Sequence, residues 1–487
     1  MNKLKKWLSP DLLFYIIVFV SIIIFVLLQP FGDPPDEVNR FKVAQFICRY
    51  GKLPTGEEFE VAIGGYGGSY AFQPILPYII QGLFMRFLTL FTRENLMLLL
   101  GARLVNAVFG LTMAVYVRRL SLMLFTDRLT GWLFCFLTMF LPQNLFLHSY
   151  VNTDSMALMS GAMILYACAC GWQYDWRRRD CLTLSAGIIF CALSYYNAYG
   201  LIVAAILLFC FSYMKSVKGQ KKRRPSVNWR SLIQKGLFIS VIVLLGIGWW
   251  FVRNYLIHDG DLLGLNARME NAMRTALPEY NPALRTTIAD TGMPVWDMVF
   301  HTDFLHFLWN SFVARFGPMT LPTLPFLYIW YYRIFGFGWL FSLIPRRWSN
   351  GFARTGGYFH SGMQSGLPIE KNRAFPTLFH LPLLLSILIT AGLCIYYSYT
   401  NDYQPQGRYI MPMLLPFMYF ISLGFHKLVS FLEVCLPFAV LQKWCRPIIL
   451  GGLMIFLTGA LILTLGCIVI PHYLTTVNFW NAEWIAL

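Results

Sequence analysis

Apolar runs of roughly 18 residues or more recur along the whole chain, and this feature constrains the fold most. A helix of about 20 residues spans the ~30 Å hydrocarbon layer of a bilayer. Lipid offers no partner to backbone N–H and C=O groups, so a spanning segment must satisfy them within itself, as a helix does. The expected fold is therefore an all-α polytopic membrane protein. Spans are predicted at 12–29, 97–117, 130–147, 155–172, 182–197, 199–214, 233–252, 319–343, 376–397, 409–430 and 447–470, about eleven in all. Composition points the same way. Of 487 residues 57% are hydrophobic and 13% charged, more apolar surface than a soluble domain of this size hides.

The formal net charge is +16, but the basic residues sit in short loops between apolar runs. They read as orientation signals under the positive-inside rule, with no basic and aromatic platform for nucleic acid. The 11 cysteines lie mostly inside apolar runs and show neither a disulfide framework nor zinc spacing. Lys3, Lys5 and Lys6 precede the first apolar run, which is too long for a signal-peptide core. It reads as an uncleaved span with a cytoplasmic start.

One apolar run, 72–91, is ambiguous, and the charges decide it. If it does not cross, the clusters Arg118/Arg119/Arg128, Arg177–Arg179, Lys215–Arg224, Arg346–Arg373 and Lys443/Arg446 all fall on the cytoplasmic side. If it crosses, most of them move outside. The segment is therefore expected to lie in the outer interface, with Pro74 and Pro77 in a first helical turn. Segments 30–96, 148–154 and 253–318 are then exterior. Three regions are expected: a transmembrane module over 1–255 containing exterior loop 30–96, an exterior loop region over 256–318, and a C-terminal transmembrane module over 319–487.

The exterior segments hold the candidate chemistry. Pro34-Pro35 stiffens the chain just before Asp36 and Glu37, and a short amphipathic helix follows on the interface. Capping that helix is the alternative role for both acids. In the short loop after the third span, Asp154 sits at the mouth of the membrane beside His148 and Asn152. Asp36 and Asp154 on one side suit a general base, or half of a divalent metal site. Arg103, Arg253 and Arg408 stand at predicted exterior span ends, where positive charge is otherwise sparse. Their planar forks match phosphate oxygens, and snorkelling to the interface is the alternative. His258-Asp259-Gly260-Asp261 reads as a turn. His301, Asp303 and His306 lack a further strong ligand for zinc.

Taken together these pieces resemble the bacterial GT-C membrane glycosyltransferases, in particular a branch with Pro-Pro-Asp-Glu in its first exterior loop. Pro34-Pro35-Asp36-Glu37, Tyr150-Val151-Asn152-Thr153-Asp154-Ser155, Trp250-Phe251-Val252-Arg253-Asn254-Tyr255 and Gln406-Gly407-Arg408-Tyr409 keep the family's order over most of the chain. There are two departures. Asn39 and Arg40 stand where many relatives have a histidine or another polar residue, and Gln73 stands where some have a lysine before the juxtamembrane proline.

The resemblance implies a GT-C-like bundle with exterior juxtamembrane helices. It implies an inverting glycosyltransferase that moves a sugar from a polyprenyl-phosphate donor to a hydroxyl of an extracytoplasmic glycan, lipid or protein. Asp36 would be the general base, supported by Glu37 and Asp154. Arg253, Arg408 and Arg103 would hold the donor phosphate, with His148, Asn152 and Gln73 in secondary contacts. A divalent cation (Mg or Mn) on Asp36 and Asp154 stays open. The expected location is the bacterial cell membrane, with the active site outside. A flippase for lipid-linked glycans and a non-catalytic membrane subunit are the alternative readings.

Overall fold

The computed structural model describes residues 9–214, 227–344 and 377–475. The basic linker 215–224 and the whole cluster 346–373 fall outside them. In chain order the helices are α1 (Pro10–Leu28), α2 (Glu37–Tyr50), α3 (Leu76–Leu88), α4 (Asn95–Leu124), α5 (Arg128–Met139), α6 (Pro142–Leu147), α7 (Asp154–Tyr174), α8 (Arg178–Ala192), α9 (Tyr199–Tyr213), α10 (Trp229–Ile257), α11 (Leu265–Thr275), α12 (Val295–Phe300), α13 (Phe304–Val313), α14 (Pro325–Ser342), α15 (Thr377–Thr400), α16 (Leu414–Cys435), α17 (Ala439–Leu463) and α18 (Ile470–Thr475). The only strands among the described residues, Arg315–Phe316 and Leu321–Pro322, form one antiparallel hairpin.

Each predicted span is matched by helix, and eight described helices are long and apolar enough to cross a membrane. Proline explains where the match is imperfect. The run 130–147 breaks at Phe140–Leu141, and Pro142 opens α6 because it has no N–H to continue the ladder. The run 319–343 starts late, at Pro325, because the hairpin takes its first residues. The run 409–430 opens as a 3₁₀ segment, Gly407–Met413, that contains Pro412. α17 passes through a π-helical turn, Thr464–Val469, into α18.

The ambiguous run behaves as the charges require. α3 has 13 residues, about 20 Å at 1.5 Å per residue, which is short of the hydrocarbon thickness. It packs on α2 so closely that a Cβ at Gly82 would sit 2.7 Å from the Ala44 carbonyl oxygen. Arg86 is tied back to the Cys48 carbonyl.

Side-chain contacts gather the loops at two ends of the bundle. At one end Arg253 meets Pro54, Leu277 meets Gly65 and Thr302 meets Tyr403. At the other, Arg118 pairs with Asp11, while Arg446 pairs with Asp127 and Glu433.

Candidate functional site

After α1 the chain runs through Pro34-Pro35 and turns sharply at Asp36, whose φ of 62° and ψ of 6° are left-handed. Aspartate tolerates that region better than most residues. In this conformation its carboxylate makes no bond to the N–H groups of α2, so the capping role fails for Asp36. The carboxylate meets Arg408 instead. Arg408 Nη2 donates to Asp36 Oδ2 at 2.8 Å.

Arg408 reaches this place because Gly407 lets two backbones touch. A Cβ there would lie 2.1 Å from the Phe312 nitrogen of α13. The Gly407 N–H also donates to Ser311 Oγ at 2.7 Å. The Arg408 side chain is 4% exposed. Its Nη2 is shared with the Tyr409 hydroxyl at 3.0 Å. Its Nε and Nη1 are buried and have no partner among the described residues, and the Tyr150 hydroxyl has none either. Leaving a buried charged donor unpaired costs about 1–3 kcal/mol or more, so idle N–H groups in a native site call for a ligand.

Asp154 opens α7 and is buried. It is joined to Asp36 by Arg40, one turn into α2 at the i+4 position from Asp36. Arg40 Nη1 lies 3.4 Å from Asp154 Oδ2, and Arg40 Nη2 lies 3.8 Å from Asp36 Oδ2. The same Nη1 lies 3.4 Å from Thr153 Oγ1, and the guanidinium stands over the Tyr70 ring. Burial alone would raise the Asp36 carboxyl. The charges of Arg408 and then Arg40 outweigh it, helped by hydrogen bonds from Arg408 and Tyr70, and hold the group below its ordinary range.

Glu37 differs from its neighbour in every respect. Its Oε1 accepts from Arg103 Nε at 2.8 Å and from the Val151 N–H at 3.1 Å. Its Oε2 accepts from Arg103 Nη2 at 2.6 Å and from the Gly32 N–H at 3.4 Å. The remaining Arg103 donors go to the carbonyls of Val26, in the last turn of α1, and of Gln29 and Pro30 just beyond it. Both side chains are 0% exposed. The expectations of catalysis at Glu37 and phosphate binding at Arg103 give way to a structural clamp, because neither group has hydrogen-bonding capacity left.

Two other expected residues, Asn152 and His148, are engaged in the fold as well. Asn152 donates to the carbonyls of Leu147 and Tyr150 and accepts from the Ser155 N–H. His148 is fully buried between Ser155 and Met113. The N–H of Gln73 closes the 3₁₀ turn Tyr70–Phe72. Arg253 donates Nη2 to the Pro54 carbonyl at 2.7 Å, while its Nη1 is buried without a partner among the described residues. The contacts of Asp36 and Arg408 do not include it.

Asp36 and Asp154 do face a common place, as a metal site would require, but Arg40 fills it. Among the described residues no group of three or more His, Cys, Asp or Glu side chains could hold a metal ion. The donor set between these two carboxylates therefore does not fit a divalent cation.

The sequence reasoning missed Arg40, which its i+4 spacing from Asp36 could have flagged. It also missed Tyr70, and it missed Asp33, whose carboxylate accepts from the Tyr473 hydroxyl of α18 at 2.7 Å.

No protein-family profile matches the sequence, and no curated protein matches it. Solved structures do. The crystal structure of ArnT from Cupriavidus metallidurans bound to undecaprenyl phosphate aligns over 93% of this chain and 75% of that one, with TM-score 0.52 and 11% identity. The archaeal oligosaccharyltransferase AglB from Archaeoglobus fulgidus, in complex with an inhibitory peptide and a dolichol-phosphate, aligns over 93% of this chain with TM-score 0.43 and 13% identity; this chain spans 55% of its length. At such identities the likeness to ArnT speaks for the fold.

Proposed function

The chain has the GT-C fold of polytopic membrane proteins, and from that premise we propose that it is an inverting glycosyltransferase using a polyprenyl-phosphate sugar. One observation carries the reading. A buried arginine, Arg408, keeps two donor nitrogens idle while its third nitrogen holds the carboxylate of Asp36. Such a group is built to receive an anion beside a base.

The chemistry follows from that pair. The donor phosphate docks on Arg408 Nε and Nη1, with the Tyr150 hydroxyl as a further donor. Asp36 takes the proton from an acceptor hydroxyl. The freed oxygen bonds to the anomeric carbon from the face opposite the phosphate. The bond from that carbon to the phosphate oxygen breaks, and polyprenyl phosphate leaves with the electron pair. Arg408 stabilises the charge that grows on the leaving phosphate, commonly a large catalytic term.

Donor binding also tunes the base. Asp36 is held acidic chiefly by Arg408. When the phosphate draws on that guanidinium, the carboxylate loses part of its partner and becomes more basic at the moment it is needed.

Arg118, Arg119, Arg177, Arg178, Arg179 and Arg446 belong to the end of the bundle away from Asp36. The positive-inside rule then puts the site outside the cytoplasm, with the cell membrane of a bacterium as its setting. Acceptors of this reaction are cell-surface glycans, lipids or proteins. The test is mass spectrometry of surface glycans from cells with the protein, without it, and with Asp36→Asn. A sugar-sized mass difference lost alike in the deletion and in Asp36→Asn supports the reading. Identical glycans in all three cells would reject it.

A further inference from the structure

We propose that Arg40 does the work of a divalent cation in this site, so that Asp36 and Asp154 are bridged and held by a built-in guanidinium. The proposal rests on the glycosyltransferase reading above and adds to it the positioning residue and the absence of a metal requirement.

The geometry comes first. One guanidinium offers a terminal nitrogen to each carboxylate, 3.4 Å to Asp154 and 3.8 Å to Asp36. A metal bridging two carboxylates would stand in that place, with metal–oxygen distances of about 2.0–2.6 Å. Arg40 is 5% exposed and is pinned by three further features: the Tyr70 ring at 4.9 Å, the Thr153 hydroxyl, and its place one turn into a helix. It has no room to swing aside into water.

Charge balance gives the second argument. Asp36 and Asp154 supply two negative charges; Arg40 and Arg408 supply two positive ones. The cluster is neutral as it stands. A dication would leave a buried site with two uncompensated positive charges, a costly state. Arginine also keeps its charge at every pH that a protein survives. The cation that orients Asp36 is thus always present, whereas a bound metal depends on supply and on pH.

Arg40 is a positioning residue in this scheme. It sets Asp36 against Asp154 and leaves Arg408 for the phosphate.

The test measures metal binding directly. Purified protein in detergent is titrated with Mn²⁺ and followed by electron paramagnetic resonance. The wild type is expected to bind no Mn²⁺ above background. Arg40→Ala leaves the two carboxylates facing each other, and it is expected to gain one Mn²⁺ per chain that Arg40→Ala/Asp154→Asn loses. Arg40→Lys, which keeps a cation, guards against a misfolded variant and is expected to bind none. The inference is overturned if the wild type binds one Mn²⁺ per chain that Asp154→Asn abolishes, or if folded Arg40→Ala gains no site. Transfer assays with and without chelator separate the two readings. Transfer that needs Mn²⁺ sinks this inference and leaves the glycosyltransferase standing. No transfer under any condition, with the binding pattern as expected, does the reverse.

Discussion

Two neighbouring acids after α1, Asp36 and Glu37, each pair with an arginine from a distant part of the chain, and the two pairs have opposite fates. Glu37 and Arg103 are sealed in the bundle, and all five N–H groups of Arg103 are taken. Asp36 and Arg408 meet at the edge of the bundle, where Asp36 is 32% exposed and Arg408 keeps two donors idle. A saturated pair can only hold structure, because a ligand would have to break something to enter. An unsaturated pair with a partly open carboxylate can accept a ligand and move a proton. Residue type does not separate the two pairs; hydrogen-bond accounting does.

The comparison can be broken by mutation, beginning with the largest effect. Asp36→Asn should lower transfer by about 10²–10⁴-fold, the usual range for losing a general base. The fold should survive, because asparagine also tolerates the left-handed backbone there, with the melting temperature lowered by loss of the ion pair to Arg408. Activity near the wild-type level would remove Asp36 from the reaction.

Arg103→Ala should act on the fold. It leaves Glu37 buried without its partner, at a cost of about 3–5 kcal/mol. The measurement is thermal unfolding in detergent. A variant that folds normally yet fails to transfer would mean that the two pairs have been read in reverse.

A smaller effect separates the pairs by pH. The Asp36 carboxyl is held low, so its ion pair contributes stability above the ordinary aspartate value, and that contribution is lost as pH falls through the lowered one. Transfer by the wild type should therefore be flat through neutrality and fall only in acid. Arg408→Gln removes the largest lowering influence and leaves burial in place. The residual activity of that variant should fall off at a higher pH than the wild type's, as read from rate–pH profiles. An unmoved acid limb would show that another group sets it.

The smallest effect concerns Asp33. Tyr473→Phe deletes one hydrogen bond and should cost about 0.5–1.5 kcal/mol of stability, with transfer nearly unchanged. A large loss of transfer would bring α18 into the site.

The bundle was largely legible in the sequence, because apolar length and basic loops obey a strong solvent constraint. The short helix α3, with 13 residues, agrees with the reading of run 72–91 as a segment that does not span. The breaks were less legible. Pro142 and Pro412 stood in plain view, but a proline within an apolar run can kink a span or end it, and packing decides which. Of the candidate site, the structure brings Asp36, Asp154 and Arg408 together through Arg40. The full pairing of Arg103 was not legible, because it depends on carbonyls that lie 73–77 residues earlier, at and just beyond the end of α1. Nothing local to Arg103 reports them. Arg40 stood out in the sequence only as a departure from the family pattern. Its burial follows from α7, which presents Asp154 to it.

The most direct trial of the account is the binding of undecaprenyl phosphate to purified protein, wild type against Arg408→Gln. Two idle donor nitrogens waiting for a phosphate predict at least a tenfold rise in Kd for the variant, about 1.4 kcal/mol, with Arg253→Gln close to wild type. Equal affinity in Arg408→Gln and wild type would mean that the phosphate sits elsewhere, and the assigned chemistry would lose its anchor.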